Sequence, residues 1–144
     1  MTRDFRLLVT GSRDWDRPGT LRLALASVWY DVRPFYDRLV VVHGACPTGA
    51  DRLAKAWADS HEDGTRVIDD PHPALWTVHG SAAGPIRNQV MVNKGAQRCL
   101  AFIGPCTSKK CRRRTPHPSH GAAGCAKLAE AAKIPTDRYE TWAA

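Results

Sequence analysis

The stretch Leu39-Val40-Val41-Val42-His43-Gly44-Ala45-Cys46-Pro47-Thr48-Gly49-Ala50-Asp51 decides the fold class of this chain. Its four consecutive aliphatic residues read as a buried strand. Gly44 lets the backbone leave that strand sharply, and Gly49 allows close approach to whatever lies above it. Thr48 then opens a helix with Ala50, Leu53, Ala54 and Trp57 on one face. A strand that turns straight into a helix aims free N–H groups and the positive end of the helix dipole at the space above the strand. Phosphate is the usual guest there, and the turn Gly44-Ala45 with Thr48-Gly49 is its candidate cradle. Thr48 and Asp51 also match the Ser/Thr-x-x-Asp/Glu capping pattern, which needs no ligand, and the two readings are compatible.

The pattern recurs along the chain. Phe5–Thr10 reads as a strand ending at Gly11-Ser12-Arg13. A helix follows, with Asp16 as its cap, Pro18 in its first turn, and Leu21, Ala24, Leu25, Val28, Trp29 and Val32 in phase. Gly64 ends the second helix, and Thr65–Ile68 reads as a short third strand. The connection from Asp69 to Ala83, rich in Pro and His and carrying Trp76, exceeds the usual loop length and reads as functional. Pro85 starts a helix to about Lys94 with Ile86, Val90 and Met91 inward. Arg98–Ile103 is a fourth strand, 104–121 a basic Cys/His-rich loop, Ala122–Lys133 a helix, and Asp137–Trp142 an edge strand. Strands alternating with helices imply an α/β fold with helices on both faces of a mostly parallel sheet of about five strands, in one three-layer domain over 1–144. In such sheets ligands bind beyond the C-terminal strand ends, here at the turns after strands one, two and four.

The 144 residues suffice for a core without disulfides, and five cysteines in such a chain argue against a disulfide framework. No apolar run approaches the roughly 20 residues that span a bilayer, and the N-terminus lacks a signal-like apolar segment. The expectation is a cytoplasmic protein without a membrane partner. The net charge of +7 is lopsided: residues 1–72 hold 10 Lys/Arg against 11 Asp/Glu, and residues 73–144 hold 11 against 3. The run Lys109-Lys110-Cys111-Arg112-Arg113-Arg114 supplies much of the excess. It reads either as a solvated basic loop or as a site for nucleic acid or a phosphorylated ligand.

A hydroxyl and a guanidinium at Ser12 and Arg13 suit phosphate or ribose, although an ordinary turn with a surface arginine fits the spacing equally. Neither glycine turn matches the dinucleotide-binding or Walker A patterns. The third small-residue segment, Gly80-Ser81-Ala82-Ala83-Gly84-Pro85-Ile86-Arg87-Asn88, places Arg87 near a helix start, where the dipole disfavours it. A local rule broken without structural gain points to a ligand role for Arg87. His43 at a strand end and the rings of Trp15 and Trp76 read either as core or as site. Cys46 offers a thiol, but no Cys/His arrangement in the sequence supports nucleophilic catalysis.

Leu8–Trp15, His43–Asp51 and Ala82–Asn88 with Met91 together resemble the YspA/YpsA-related branch of the SLOG superfamily, over roughly residues 5–103. The resemblance implies a Rossmann-like fold and a superfamily that includes LOG nucleotide phosphoribohydrolases, the DNA-uptake protein DprA and sensors of nucleotide-derived ligands. Arg87, Asn88 and Met91 are similar to the Arg-Lys-x-x-Met helix of LOG enzymes, which implies a catalytic role for Arg87. The second LOG signature, Pro-Gly-Gly-x-Gly-Thr-x-x-Glu, is replaced by Phe102-Ile103-Gly104-Pro105-Cys106-Thr107-Ser108, leaving Asp51 as the carboxylate for an acid/base role.

The expected function is binding of a nucleotide-derived, phosphate-bearing ligand by Gly11, Ser12, Arg13, Gly44, Ala45, Thr48, Gly49, Asp51, Trp76, Gly84, Arg87 and Asn88. The alternatives are N-glycosidic hydrolysis using Arg87 and Asp51, or DprA-like nucleic-acid binding through Lys109–Arg114. Self-association is common in the superfamily, which makes a homo-oligomer a further expectation. No cofactor is required. Cys106, Cys111, His117, His120 and Cys125 offer five candidates for the four ligands of a structural zinc, with Cys125 also in phase with a buried helix face.

Overall fold

The computed structural model describes residues 2–61 and 66–142. In chain order the elements are β1 (Asp4–Gly11), α1 (Pro18–Val32), β2 (Arg38–His43), α2 (Gly49–Asp59), β3 (Val67–Pro71) and the short α3 (Trp76–His79). A 3-10 turn (Gly80–Ala82) leads into α4 (Ala83–Asn93), then β4 (Arg98–Ile103), α5 (His120–Ala131) and β5 (Thr136–Glu140). The five strands form one sheet in the order β3-β2-β1-β4-β5, with every neighbouring pair parallel. The chain winds outward from β1 to one edge, returns to the centre and winds outward to the other. That is a doubly wound, Rossmann-like sheet, and its order reverses between β1 and β4.

Period-two alternation divides the core. Phe5, Leu7 and Val9, Leu39 and Val41, and Leu100 and Phe102 face α1 and α2. There they meet Leu21, Leu25, Val28, Ala50, Ala54 and Ala58. Leu8, Val40, Val42 and Cys99 face the other way, against Met91 and Val92 of α4 and Cys125 and Ala129 of α5. Alanines at every fourth position let α2 lie close to the sheet. Trp15 belongs to the first of these layers: its ring packs on Phe102 with centroids 5.5 Å apart, and its indole N–H donates to the Arg17 carbonyl.

Several local expectations shift. Arg17, not Asp16, holds the N-cap of α1, without a side-chain capping bond. Strand β3 begins two residues later than the sequence suggests and runs on to Pro71, and Gly64 and Thr65 lie outside the described residues. Helix α4 starts at Ala83 and is rotated. Ile86 and Val90 are 41% and 45% exposed, while Ala83, Gly84, Asn88, Met91 and Val92 face inward. An inward Asn88 defeats any face drawn from hydrophobicity alone, and small residues rather than branched ones make the close contact. No helix among the described residues is long and apolar enough to cross a membrane.

The glycine at the end of β1 is a packing requirement. A Cβ on Gly11 would lie 2.3 Å from Ala50 Cβ and 2.8 Å from the Phe102 carbonyl oxygen. Gly11→Ala is expected to cost about 2 kcal/mol and to lower the melting temperature by about 5 °C in a thermal denaturation scan. Gly19→Ala, which meets nothing within 4 Å on α1, is the contrasting variant. It is expected to stabilise by about 0.5 kcal/mol.

Candidate functional site

The crevice forms where the turns after β1 and β2 meet. Gly49 takes a left-handed φ of +67°, and a Cβ there would sit 2.2 Å from the Ser12 carbonyl oxygen. That carbonyl accepts the Ala50 N–H at 3.2 Å, so one amide of the α2 start bonds to the β1 turn instead of facing the crevice. The Ser12 side chain is also internal. Its hydroxyl accepts the Gly104 N–H at 2.8 Å and donates to Ser119 Oγ at 3.0 Å, tying β1 to the β4 turn and to the N-cap of α5. Thr48 occupies the N-cap of α2 in an extended conformation, exposed and with no side-chain capping bond.

The capping box does not form because Asp51 points elsewhere. Its Oδ2 accepts the Cys46 N–H at 3.1 Å, and the Gly44 N–H also bonds to this carboxyl. The loop amides that the sequence offers to a phosphate are thus turned onto a buried carboxylate. Burial pushes this carboxyl above the usual Asp value, against the opposing pull of those N–H groups and the Arg87 charge. Ala45 holds a φ of +59°, a left-handed conformation rare for a residue with a Cβ. It lets its N–H donate to His43 Nδ1 at 3.0 Å. His43 is therefore the Nε2–H tautomer and donates to Asp69 at 2.6 Å. Lys55 Nζ lies 3.3 Å from the other oxygen of Asp69.

Arg87 reaches this loop from α4. A Cβ on Gly44 would lie 2.5 Å from Arg87 Nη1 and 3.0 Å from Asp51 Oδ2, so the missing side chain is the space the guanidinium occupies. Nη1 donates to the carbonyls of Gly44 and His72, and Nε donates to Asn88 Oδ1 at 2.8 Å. Nη2 has no protein partner among the described residues, on a side chain that is partly exposed. Across the crevice Arg13 lies over the Trp76 ring, 5.6 Å from its centroid, and Trp76 stacks above Gly84, where a Cβ would be 3.5 Å from the ring. Trp76 is half exposed, unlike Trp15. On the outer side of the loop, a groove of about 490 Å³ is lined by Ala45, Cys46, Asp51, Arg52, Lys55 and Pro71 among others. That volume lies within the range of small-ligand sites. Asp51 serves both places, touching the Gly44 backbone and lining the groove.

The sequence reading overlooked the partners of this set. Asp69, the His72 carbonyl and Ser119 stand 26, 15 and 107 residues from His43, Arg87 and Ser12, the residues they serve, and no local pattern marks them. The one legible hint was the length of the connection that carries Asp69 and His72.

At the end of β4, Cys106, Cys111, His117 and His120 come together, with one ligand atom from each lying within 4.8 Å of all the others. Cys111 Sγ is 3.3 Å from His117 Nε2 and 3.5 Å from His120 Nε2. His117 Nδ1 bonds the Thr115 carbonyl at 2.8 Å, which leaves Nε2 as the lone-pair nitrogen facing the sulfurs. Backbone bonds brace the base of the loop, from Cys106 N–H to the His117 carbonyl and from Ser119 N–H to the Gly104 carbonyl. This cluster could hold a metal ion. Cys125 is not part of it. It is fully buried on α5 against Leu8, Val42 and Met91, and burial raises its thiol above the ordinary value. The helical phase that made it core also removes it from the ligand set.

Residues 5–79 match the family model described as YAcAr, the YspA, cpYpsA-related SLOG family. The chain is also similar to the Gene 61 protein of Mycobacterium phage D29, 45% identical over 98 residues, which is 67% of this chain and 75% of the phage protein. The family match contains the turns at Gly11 and Gly44 together with Trp76, and ends before Arg87 and the Cys/His loop.

Because Asp51 is neutral more readily in the folded protein than in the unfolded chain, its ionisation opposes folding. Stability from this group is full below the unfolded value near 3.8 and is lost as pH rises through the higher folded value. Asp51→Asn is therefore expected to melt higher than the parent at pH 7.5, with the gap closing as pH falls towards 4. Paired melting curves across that range check the sign.

Proposed function

The chain belongs to the YspA, cpYpsA-related SLOG family, and on that premise we propose that it binds a nucleotide-derived, phosphate-bearing ligand at the C-terminal ends of β1 and β2. The observation that carries this reading is Arg87, laid over the side-chain-free Gly44 with Nη2 unpaired among the described residues. A guanidinium fixed by two carbonyls and still holding a free donor edge suits a phosphate oxygen better than a mobile surface arginine does. Arg13 supplies a second cation, and its turning to a phosphate would uncover the half-exposed Trp76 ring for stacking on a base. The helix N-terminus plays a smaller part, since Ser12 and Asp51 already engage amides of α2 and its preceding loop.

Asp51 favours a second reading, N-glycosidic hydrolysis. A buried carboxyl with a raised proton affinity beside Arg87 is placed to donate a proton to a departing base while the guanidinium steadies the sugar phosphate. Release of free base from nucleoside monophosphates, abolished in both Asp51→Asn and Arg87→Ala, selects this reading over binding alone.

For binding itself, a panel of nucleoside mono- and diphosphates and ADP-ribose is titrated in a thermal shift assay. At about 100 times Kd a ligand stabilises by about 2.7 kcal/mol, a rise of roughly 5–10 °C for a domain of this size. Arg87→Ala is expected to lose that rise; it melts lower than the parent without ligand, because the Gly44 and His72 carbonyls lose their donor, so the shift is read against the variant's own unliganded curve. A flat response to the whole panel overturns the reading.

The Cys106, Cys111, His117 and His120 set fits a structural zinc: two thiolates and two imidazoles, one with its tautomer already fixed by a backbone carbonyl. The metal would close the loop, and no chemistry is routed through it. Elemental analysis of protein purified without chelator is expected to find one zinc per chain. Cys111→Ser loses the metal and Cys125→Ser keeps it. A metal-free parent, or equal loss in both variants, rules the site out.

A further inference from the structure

We propose that the loop closed by Cys106, Cys111, His117 and His120 presents Lys109, Lys110, Arg112, Arg113 and Arg114 as a docking surface for the phosphate backbone of single-stranded nucleic acid. All five cations are exposed, and none forms an ion pair among the described residues. The chain contains no Asp or Glu between Asp70 and Glu130, so nothing within the segment neutralises them. Among the described residues, the one carboxylate bonded to the loop is Asp14, at its root, where it accepts the Thr107 hydroxyl at 2.8 Å. Five uncompensated charges within six residues raise one another's field and would splay a free chain. Here the chain is drawn back on itself on either side of Cys111, so the charges are held together in a short, braced arc. Ordering them in advance lowers the entropy lost on binding a polyanion.

The chemistry favours nucleic acid over an anionic membrane. Three of the five are arginines, which grip phosphate oxygens in pairs. Residues 104–119 hold no large apolar side chain to insert among lipid tails. The single-stranded form follows from place, and this part rests on the ligand reading above. Gly104, where the loop begins, bonds directly to Ser12 at the crevice floor, so loop and crevice share the C-terminal edge of the sheet. A strand running from the basic arc to the Trp76 face must carry unpaired bases.

The test is fluorescence anisotropy of a labelled mixed-sequence DNA strand of about 20 nucleotides, its duplex, and anionic vesicles of phosphatidylserine in phosphatidylcholine, with protein whose zinc content has been measured. The strand is expected to bind at least tenfold more tightly than the duplex, with log K falling against log salt at a slope of about −3 for four or five phosphate contacts. The combined variant Lys109→Gln, Lys110→Gln, Arg112→Gln, Arg113→Gln and Arg114→Gln is expected to weaken binding more than tenfold and to flatten that slope. It should keep parent metal content and melting temperature. Parent-like binding by this variant, duplex binding equal to or tighter than the strand, or a preference for vesicles overturns the proposal. Its failure is separable from that of the readings it accompanies. Binding through the basic arc by zinc-free protein sinks the metal site and upholds the surface, whereas zinc-loaded protein that shifts with nucleotides yet ignores the strand sinks the surface alone.

Discussion

The first turn of α2 rests on the last residues of β1 with no side chain between them. Gly49 and Gly11 each leave a space that a single methyl group would close, one against the Ser12 carbonyl and the other against Ala50. That approach lets Ser12 act as a junction. Its carbonyl holds the α2 start, and its hydroxyl holds both Gly104 and Ser119. Four elements, β1, α2, β4 and α5, are keyed to one small residue. The crevice and the base of the Cys/His loop therefore share a foundation, and a change in the spacing of β1 and α2 would be felt at both.

A second empty position shapes the electrostatics. With no side chain on Gly44, Arg87 can lie on the backbone of the β2 turn, and Asp51 can approach the same backbone from α2. The carboxylate takes the loop amides and the arginine takes the loop carbonyls. Both polarities of the turn are satisfied from within, at the expense of a buried acid whose proton affinity is raised. On the proposed reading, an anion would meet guanidinium groups here and not the bare helix N-terminus that strand–turn–helix segments usually offer.

Strand positions were the most legible feature, because a parallel sheet buried on both faces demands runs such as Val40–Val42 and Leu100–Ile103 that no surface element would carry. Helix faces were legible where large residues set them, as at Leu21, Leu25 and Val28. They were not legible in α4, where Gly84 lies beneath Trp76 and Asn88 is turned inward beside Arg87, leaving Ile86 and Val90 in solvent. Caps failed for a similar reason. Thr48 and Asp51 carry the capping pattern, but a carboxylate offered two loop amides in a buried turn bonds to those instead.

The sequence by itself determined the α/β class, the alternation of strands and helices, the glycine turns at Gly11 and Gly44, and the family. It also marked Arg87 and the cysteines and histidines of the 104–121 loop as residues with chemistry to account for. These are properties of periodicity and residue type, which the chain carries locally. Only the tertiary structure decided which of them meet. It set Arg87 over Gly44, bonded the Ser12 hydroxyl within the scaffold, separated buried Cys125 from the four clustered Cys/His side chains, and paired His43 with Asp69. Each of those outcomes depends on a distance between residues remote in the chain, and that distance is set by sheet order and helix rotation, which residue type does not encode.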